Sequence, residues 1–214
     1  MDSRKEIIRR LEATRVVAII RGMSPAVCVK LAEAYQVGGI RLVEIAFNQV
    51  GSVGDTVTAI RAVKAVVPGM CVGAGTVVTE EQLDLAIAAG AEFVVMPNCN
   101  PTVIRNAKSA GLLTLPGAFT PTEMVTAHEA GADYVKVFPA RALGPQYVKD
   151  VLAPLKYLKL IAVGGISSGN ASDYIRAGCV GVAVGGSLVN EEWIAAGEYG
   201  KIAGVARELV ESCK

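Results

Sequence analysis

The stretch Ala130-Gly131-Ala132-Asp133-Tyr134-Val135-Lys136-Val137-Phe138-Pro139 decides the fold of this chain, because it contains one complete junction between a helix and a strand. An alanine-rich helical segment ends at a glycine, which can take the left-handed conformation that caps a helix. The apolar run that follows, Tyr134 to Phe138, has the length and composition of a buried strand. The structural unit therefore runs from helix to strand.

The same junction recurs along the chain. It is found as Val37-Gly38-Gly39 before residues 40–45, as Ala89-Gly90 before 93–96, as Ala110-Gly111 before 112–115 and as Ala177-Gly178 before 180–184. Residues 16–21, 71–76 and 160–163 complete a set of eight strand candidates, each followed by enough chain for a crossover helix. Eight such units predict an α/β fold, a (β/α)8 TIM barrel formed as a single domain by residues 1–214.

An open doubly wound sheet is the competing architecture. Eight evenly spaced units without a second domain favour the closed barrel instead. Residues 3–13, which precede the first strand candidate, predict an extra N-terminal helix across the floor of the barrel.

Composition excludes several classes of partner. The 214 residues are 52% apolar, and 21 Lys plus Arg against 20 Asp plus Glu give a net charge of +1. No global field would draw this chain to nucleic acid or to an acidic membrane. Small molecules or copies of the same chain are the expected partners.

Cysteine usage and the N-terminus predict a soluble, cytoplasmic protein. The five cysteines are odd in number and show no Cys-x-x-Cys spacing, which is typical of reduced thiols and not of a metal cluster. The charged start of the chain does not resemble a signal peptide, and the apolar run 16–20 is far shorter than the roughly 20 residues of a membrane span.

Neither a metal nor a nucleotide cofactor is expected. His128, the only histidine, falls on a predicted helix over residues 121–130 without potential ligands at suitable spacing. Gly73-Ala74-Gly75-Thr76 superficially resembles part of a dinucleotide fingerprint, but a third glycine and a distal acidic residue at proper spacing are not convincing.

Catalytic residues of such barrels gather at the carboxyl ends of the strands. The polar or glycine positions late in the predicted strands are Arg21, Glu44, Asn48, Thr76, Pro97-Asn98, Lys136 and the glycine pairs that begin at Gly164 and Gly185.

Lys136 is the one charged residue in the apolar run from Tyr134 to Phe138. Burial disfavours an ammonium, and a neutral lysine forms Schiff bases with carbonyl compounds. The alternative is a lysine at a strand end whose head reaches water along its aliphatic stem. Phe138, two residues along the same strand face, could shield the amine or belong to the ordinary core.

Glu44 lies within Leu42-Val43-Glu44-Ile45-Ala46, so its carboxylate must be inside the barrel or paired. A buried carboxylate with a raised pKa suits proton transfer. A structural ion pair with Arg41 or another cation is the alternative.

Two glycine turns follow the last two predicted strands, Val163-Gly164-Gly165-Ile166 and Val184-Gly185-Gly186-Ser187. Glycines let backbone N–H groups approach an anion, and neighbouring turns of this kind can form a phosphate cradle. Tight turns also use glycine for steric reasons alone.

These motifs together resemble the 2-keto-3-deoxy-6-phosphogluconate (KDPG) and 4-hydroxy-2-oxoglutarate (KHG) aldolase family over nearly the whole chain. The resemblance is carried by residues 16–22, 43–45, 73–77, 116–123, 135–140 and 163–166. It implies a homotrimeric class I aldolase that releases pyruvate and an aldehyde, namely glyceraldehyde 3-phosphate or glyoxylate.

The resemblance also implies residue roles. Lys136 matches the Schiff-base lysine and Glu44 the general acid/base. The expected substrate-binding residues are Thr76 and Pro97 at the keto-acid end, Phe138 beside the iminium, and Gly164, Gly165, Gly186 and Ser187 at the phosphate.

Two positions depart from the gluconate-type pattern. Asn48 replaces an arginine that holds the substrate carboxylate, a duty that Arg21 could take over, although a rim salt bridge is the alternative for Arg21. Val163 replaces a threonine. Both features are similar to the branch that cleaves the C4 epimer, 2-keto-3-deoxy-6-phosphogalactonate. A phosphosugar isomerase or synthase and a non-catalytic phosphate-binding barrel are more distant alternatives.

Overall fold

Helices and strands alternate along the chain in the computed structural model, which describes residues 3–49 and 53–214. The strands are β1 (Val16–Ile20), β2 (Leu42–Ala46), β3 (Cys71–Gly75), β4 (Phe93–Val95), β5 (Leu113–Leu115), β6 (Gly117–Ala118), β7 (Val135–Val137), β8 (Leu160–Val163) and β9 (Gly181–Val184). The helices are α1 (Ser3–Thr14), α2 (Pro25–Val37), α3 (Val53–Val66), α4 (Glu80–Ala89), α5 (Pro101–Ser109), α6 (Pro121–Glu129), α7 (Ala140–Leu152), α8 (Ala171–Arg176), α9 (Glu191–Ala195) and α10 (Tyr199–Ser212), and a 3₁₀ turn covers Gly186–Leu188.

All the paired strands are parallel and follow the order β5-β4-β3-β2-β1-β9-β8-β7-β6. β5 and β6 are two parts of one strand, separated only by Pro116. The N–H of Met96 donates to the carbonyl of Leu115 at 3.1 Å, and the N–H of Lys136 donates to the carbonyl of Pro116 at 2.8 Å. This composite strand joins the two ends of the sheet, so the predicted (β/α)8 barrel is confirmed.

The predicted strand over residues 112–115 is too short in one respect. Proline has no backbone N–H to donate, which makes Pro116 look like the end of the strand. Its carbonyl nevertheless accepts from Lys136, and the strand continues through Gly117 and Ala118.

The glycines at the helix-to-strand junctions adopt the predicted left-handed conformation. Their φ angles are 98° at Gly39, 81° at Gly90, 81° at Gly111, 96° at Gly131 and 111° at Gly178. The repeat seen in the sequence is therefore a repeat of helix termination, which returns the chain to the sheet.

Alternation along the strands separates two apolar layers. Val43 and Ile45 on β2 pack outward against the helices, whereas Leu42 packs inside the barrel with Val17. Ile7 and Leu11 of α1 belong to this inner layer, so the predicted N-terminal helix closes the barrel floor.

Among residues 3–49 and 53–214, no helix combines the length and apolar character needed to cross a membrane. The five cysteines are all free thiols.

Candidate active site

A cavity of about 640 Å³ opens at the carboxyl ends of the barrel strands, and we call it the central cavity. It brings together most of the residues that the sequence predicted for the site. Arg21, Glu44, Thr76, Pro97, Lys136, Phe138, Val163, Gly164, Gly165 and Gly186 all line it.

Lys136 projects into the central cavity from the middle of β7. Its side chain shares the inner face with Tyr134 and Phe138, only 6% of the residue is exposed, and Nζ lies 4.5 Å from the centre of the Phe138 ring. Burial lowers the pKa of Lys136, and the charge of Arg21 lowers it further, while Glu44 opposes both. The amine is therefore enclosed and does not send its head into bulk water.

Glu44 enters the same cavity from β2 and is 1% exposed. Burial raises its pKa more strongly than the positive charges of Lys136 and Arg21 lower it. Oε2 has no hydrogen-bond partner among the described residues. Arg41 donates to backbone carbonyls instead, so the considered ion pair with Glu44 is not formed.

Gly75 makes the room that the Glu44 carboxylate occupies. A Cβ at position 75 would lie 2.7 Å from Glu44 Oε1 and 2.9 Å from Cδ. Gly75 therefore allows close packing beside the carboxylate, and Gly73 allows close packing against the Phe93 ring, which a Cβ at position 73 would approach to 2.4 Å.

Thr76 follows β3 in a conformation that is uncommon for a β-branched residue, with φ of 58°. Such a backbone costs on the order of 1–3 kcal/mol and persists only when the surroundings hold it. Nη2 of Arg21 donates to Thr76 Oγ1 at 3.0 Å. Arg21 and Thr76 thus form one polar wall of the cavity beside Glu44.

A chain of amides that sequence reasoning missed holds Thr76 from behind. Gln49 Nε2 donates to the carbonyl of Thr76 at 3.1 Å, and Gln82 Nε2 donates to Gln49 Oε1 at 3.2 Å. Gln82 Oε1 in turn accepts from the N–H of Val78 at 2.8 Å. The Thr79-x-x-Gln82 spacing signalled the start of α4, where Thr79 Oγ1 caps the helix, but gave no sign of this chain.

The glycine turns after β8 and β9 lie next to each other, because these two strands are paired, and both turns line the central cavity. The backbone N–H groups of Gly165, Ile166 and Gly186 donate to no acceptor among the described residues, which suits them to an anion. The carbonyls are occupied, since Asn170 Nδ2 donates to Gly165 and Ser187 Oγ donates to Ile166, both at 2.9 Å. The side chain of Ser187 therefore ties the two turns together.

Two predicted substrate-binding residues do not line the central cavity. The Ser187 side chain is engaged as described, and Asn48 is exposed in a separate cavity of about 260 Å³ with Ser24 and Asp55. A residue that the sequence analysis did not single out, Arg141, does line it. His128 lies on α6 against Tyr157, with ring centroids 4.7 Å apart.

The fold and the cavity define a (β/α)8 barrel with an amine and a carboxylate buried in its mouth. The sequence profile described as KDPG and KHG aldolase matches residues 7–205. The chain belongs to this aldolase family.

Two relatives and one solved structure show the range of this similarity. A probable 2-dehydro-3-deoxy-6-phosphogalactonate aldolase of Rhizobium meliloti is 37% identical over 81% of this chain and 81% of its own length. A 2-dehydro-3-deoxy-phosphogluconate aldolase of Treponema pallidum is 34% identical over 96% of both chains. The KDPG aldolase of Legionella pneumophila, with pyruvate captured as a covalent carbinolamine, superposes with a TM-score of 0.83 at 26% identity, over 94% of this chain and 96% of that one.

Proposed function

We propose that this chain is a class I aldolase that cleaves 2-keto-3-deoxy-6-phosphogluconate to pyruvate and glyceraldehyde 3-phosphate. It also cleaves 4-hydroxy-2-oxoglutarate to pyruvate and glyoxylate. The observation that carries the proposal is the enclosed amine of Lys136, which faces the central cavity together with the carboxyl group of Glu44. Membership of the aldolase family supports the same reaction.

Lys136 supplies the covalent step. Its neutral amine attacks the C2 carbonyl of the substrate, and the resulting carbinolamine loses water to give an iminium. The iminium accepts the electron pair of the C3–C4 bond as that bond breaks, which forms an enamine. Phe138 covers one side of the amine and limits the access of water.

Glu44 moves the protons. As a carboxylate it accepts the proton of the C4 hydroxyl group, so the aldehyde leaves when the C3–C4 bond breaks. The resulting acid returns a proton to C3 of the enamine. Water then hydrolyses the iminium, which releases pyruvate and restores the Lys136 amine.

The remaining cavity residues bind the two ends of the substrate. Arg21 and Thr76 hold the carboxylate, with Pro97 completing that wall. The turns at Gly164, Gly165 and Gly186 hold the phosphate through backbone N–H groups. Asn48 lines the separate cavity of about 260 Å³ and not this wall.

The C4 epimer, 2-keto-3-deoxy-6-phosphogalactonate, is the second candidate substrate. Val163 presents an apolar side chain to the cavity at the position where the gluconate-type pattern has a threonine. The similarity to the R. meliloti relative favours the same alternative. A coupled assay of pyruvate release that compares kcat/KM for both epimers decides between them, and equal values would remove the case for specialisation.

A phosphosugar isomerase or synthase would also use paired glycine turns. Such an enzyme has no need of a desolvated amine, so the burial of Lys136 favours the aldolase.

We further infer a homotrimer in the cytoplasm. The family resemblance supports the trimer, and five free thiols are typical of a reducing compartment. Light scattering of the purified chain tests the assembly.

Borohydride trapping tests the chemistry. We expect sodium borohydride added with pyruvate to attach one reduced pyruvate at Lys136, as read by intact mass and peptide mapping. Lys136→Ala should remove the adduct and lower kcat by about 10³-fold or more, because the covalent step is lost. Lys159→Ala is the matched control, since Lys159 lies over Tyr134 away from the central cavity. An adduct that survives Lys136→Ala would refute the mechanism.

A further inference from the structure

We propose that Arg141 is a specificity-determining residue, a guanidinium that binds the phosphate of the substrate beside the glycine turns. The inference rests on the proposed function and adds a residue to it. The ligand class is a 2-keto acid that carries a phosphate at its far end.

Arg141 occupies the first turn of α7, directly after the strand that carries Lys136. Its backbone N–H donates to the carbonyl of Gly164 at 3.0 Å, which fixes the start of the helix against the turn after β8. Its side chain lines the central cavity together with Gly165 and Gly186. The Arg141 side chain therefore begins next to the backbone N–H groups of these turns.

The aliphatic stem of Arg141 lies directly on Gly165. A Cβ at position 165 would be 2.6 Å from Cβ of Arg141 and 2.8 Å from its Cδ. Gly165 also has φ of 78°, which a residue with a side chain would adopt only under strain. Glycine at position 165 therefore leaves room for the Arg141 side chain to pass over the turn.

No ion pair or hydrogen bond engages the guanidinium of Arg141 within residues 3–49 and 53–214. By contrast, the other arginine in the cavity, Arg21, is already bonded to Thr76. Glu44 is the only carboxylate among the described residues that line the cavity, and it projects from β2, on the other side of the barrel from β7. Arg141 therefore brings a positive charge without a partner among the described residues to the part of the cavity that carries the glycine turns.

The distribution of charge matches a substrate with two anionic ends. Arg21 and Thr76 follow β1 and β3, whereas Arg141 and the glycine turns follow β7, β8 and β9, and Lys136 lies within the same cavity. Backbone N–H groups alone bind phosphate without a full positive charge. A guanidinium adds charge and bidentate geometry, which strengthens the selection of phosphate over a hydroxyl group.

The test compares one substrate with and without its phosphate. The variants Arg141→Ala and Arg141→Lys are assayed on 2-keto-3-deoxy-6-phosphogluconate and on unphosphorylated 2-keto-3-deoxygluconate. Arg141→Ala should lower kcat/KM for the phosphorylated substrate by about 10- to 100-fold, mainly through KM, and change the value for the other by less than about threefold. Arg141→Lys should lie between the wild type and Arg141→Ala, since it keeps the charge and loses the fork.

Lys149→Ala is the matched control, because it removes an exposed positive charge from α7 outside the cavity, beyond the break in the helix at Gly144. It should leave both kcat/KM values unchanged. Raising the salt concentration should narrow the wild type's preference for phosphate more than that of Arg141→Ala.

The outcomes separate this inference from the proposed function. If the wild type forms the borohydride adduct but Arg141→Ala keeps the wild-type ratio between the two substrates, the role of Arg141 is overturned and the aldolase stands. An equal loss on both substrates assigns Arg141 a structural role and also overturns the inference. Failure of the wild type to trap pyruvate defeats the proposed function itself.

Discussion

Glu44 and Lys136 are two ionisable groups inside one apolar barrel, and burial shifts their pKa values in opposite directions. The pKa of Glu44 is raised and that of Lys136 is lowered, so the neutral form of each group is favoured. Their mutual attraction opposes both shifts but does not outweigh burial. A more neutral amine is the better nucleophile, and a carboxyl group titrating closer to neutral pH can both accept and return a proton.

Replacement of Glu44 by glutamine should stabilise the protein in a pH-dependent way. Because the folded pKa lies above the ordinary 4.5, the carboxylate costs stability progressively as pH rises through the interval between those two values. Below pH 4.5 the group is protonated in both states and the cost vanishes. The free energy of unfolding of Glu44→Gln should therefore gain on that of the wild type as pH rises, by about 1.4 kcal/mol per unit of pKa difference.

Urea unfolding of both proteins between about pH 4 and pH 8 measures this difference. A gap that stays constant, or that shrinks as pH rises, would contradict the raised pKa. The same variant should lose about 10²- to 10³-fold in kcat, because the glutamine amide cannot accept the C4 hydroxyl proton.

The sequence singled out Lys136 and Glu44 as central site residues, but it did not reveal the residues that support them. Lys136 and Glu44 are lone charges in apolar, alternating strands, so period and composition single them out. A lysine that reaches water and a glutamate in an ion pair fitted the same pattern, and the structure was needed to show the burial. Arg141 lies in a helix, and its position over Gly165 depends on how α7 meets the turn after β8, which no local pattern encodes. Asn48 follows β2 closely, yet it lies at a separate cavity outside the barrel mouth.

At the scale of elements, the loop after β3 is held by α4. Thr76 keeps its left-handed backbone because Gln49 and Gln82 bond in sequence behind it. The start of α4 therefore helps to shape the wall that we propose to bind the keto-acid end.

Gln82→Leu should weaken this support while preserving volume and helix propensity. The change leaves the N–H of Val78 and the Oε1 atom of Gln49 without partners, so we expect a loss of about 1–3 kcal/mol in the free energy of unfolding. Thr76 should also become less ordered, which raises KM for the keto acid several-fold. Denaturant unfolding and steady-state kinetics measure the two effects.

Gln36→Leu is the control, because Gln36 bonds the carbonyl of Pro68 beside a different cavity. It should leave KM unchanged. A Gln82→Leu variant with wild-type KM would show that Thr76 holds its conformation unaided.

Element boundaries were predictable where helix and strand meet at glycine, since the left-handed caps leave a local signal. The composite strand of β5 and β6 was less predictable from the sequence. A residue in a strand directs its backbone N–H toward only one of the two neighbouring strands, so a proline can lie within the sheet. The sequence does not show which backbone carbonyls accept hydrogen bonds.

At the scale of the whole molecule, the barrel interior has an apolar floor and a mouth lined by polar and charged residues. Ile7 and Leu11 of α1 complete the floor with Val17 and Leu42, whereas Lys136 and other polar residues occupy the opposite end. Stability and chemistry are therefore separated along the barrel axis.

Leu11→Ala should show this separation. The residue is completely buried, so its truncation should cost about 2–5 kcal/mol of unfolding free energy. Values of kcat and KM at 25 °C should stay within about twofold of the wild type, provided that the folded state still dominates. Val37→Ala, at a position that is 68% exposed, should change stability by less than about 0.5 kcal/mol. A large loss of kcat in folded Leu11→Ala would contradict the separation.

The proline interruption at Pro116 lies where the ends of the sheet meet, and its carbonyl is bonded to the backbone N–H of Lys136. The backbone of Lys136 is thus bonded to the composite strand that closes the barrel. A change in the radius of the barrel would therefore reach the Lys136 backbone through this one hydrogen bond, without passing through a loop or a helix. On warming, loosening of the contact between the composite strand and β7 would lower kcat while the surrounding helices remain intact.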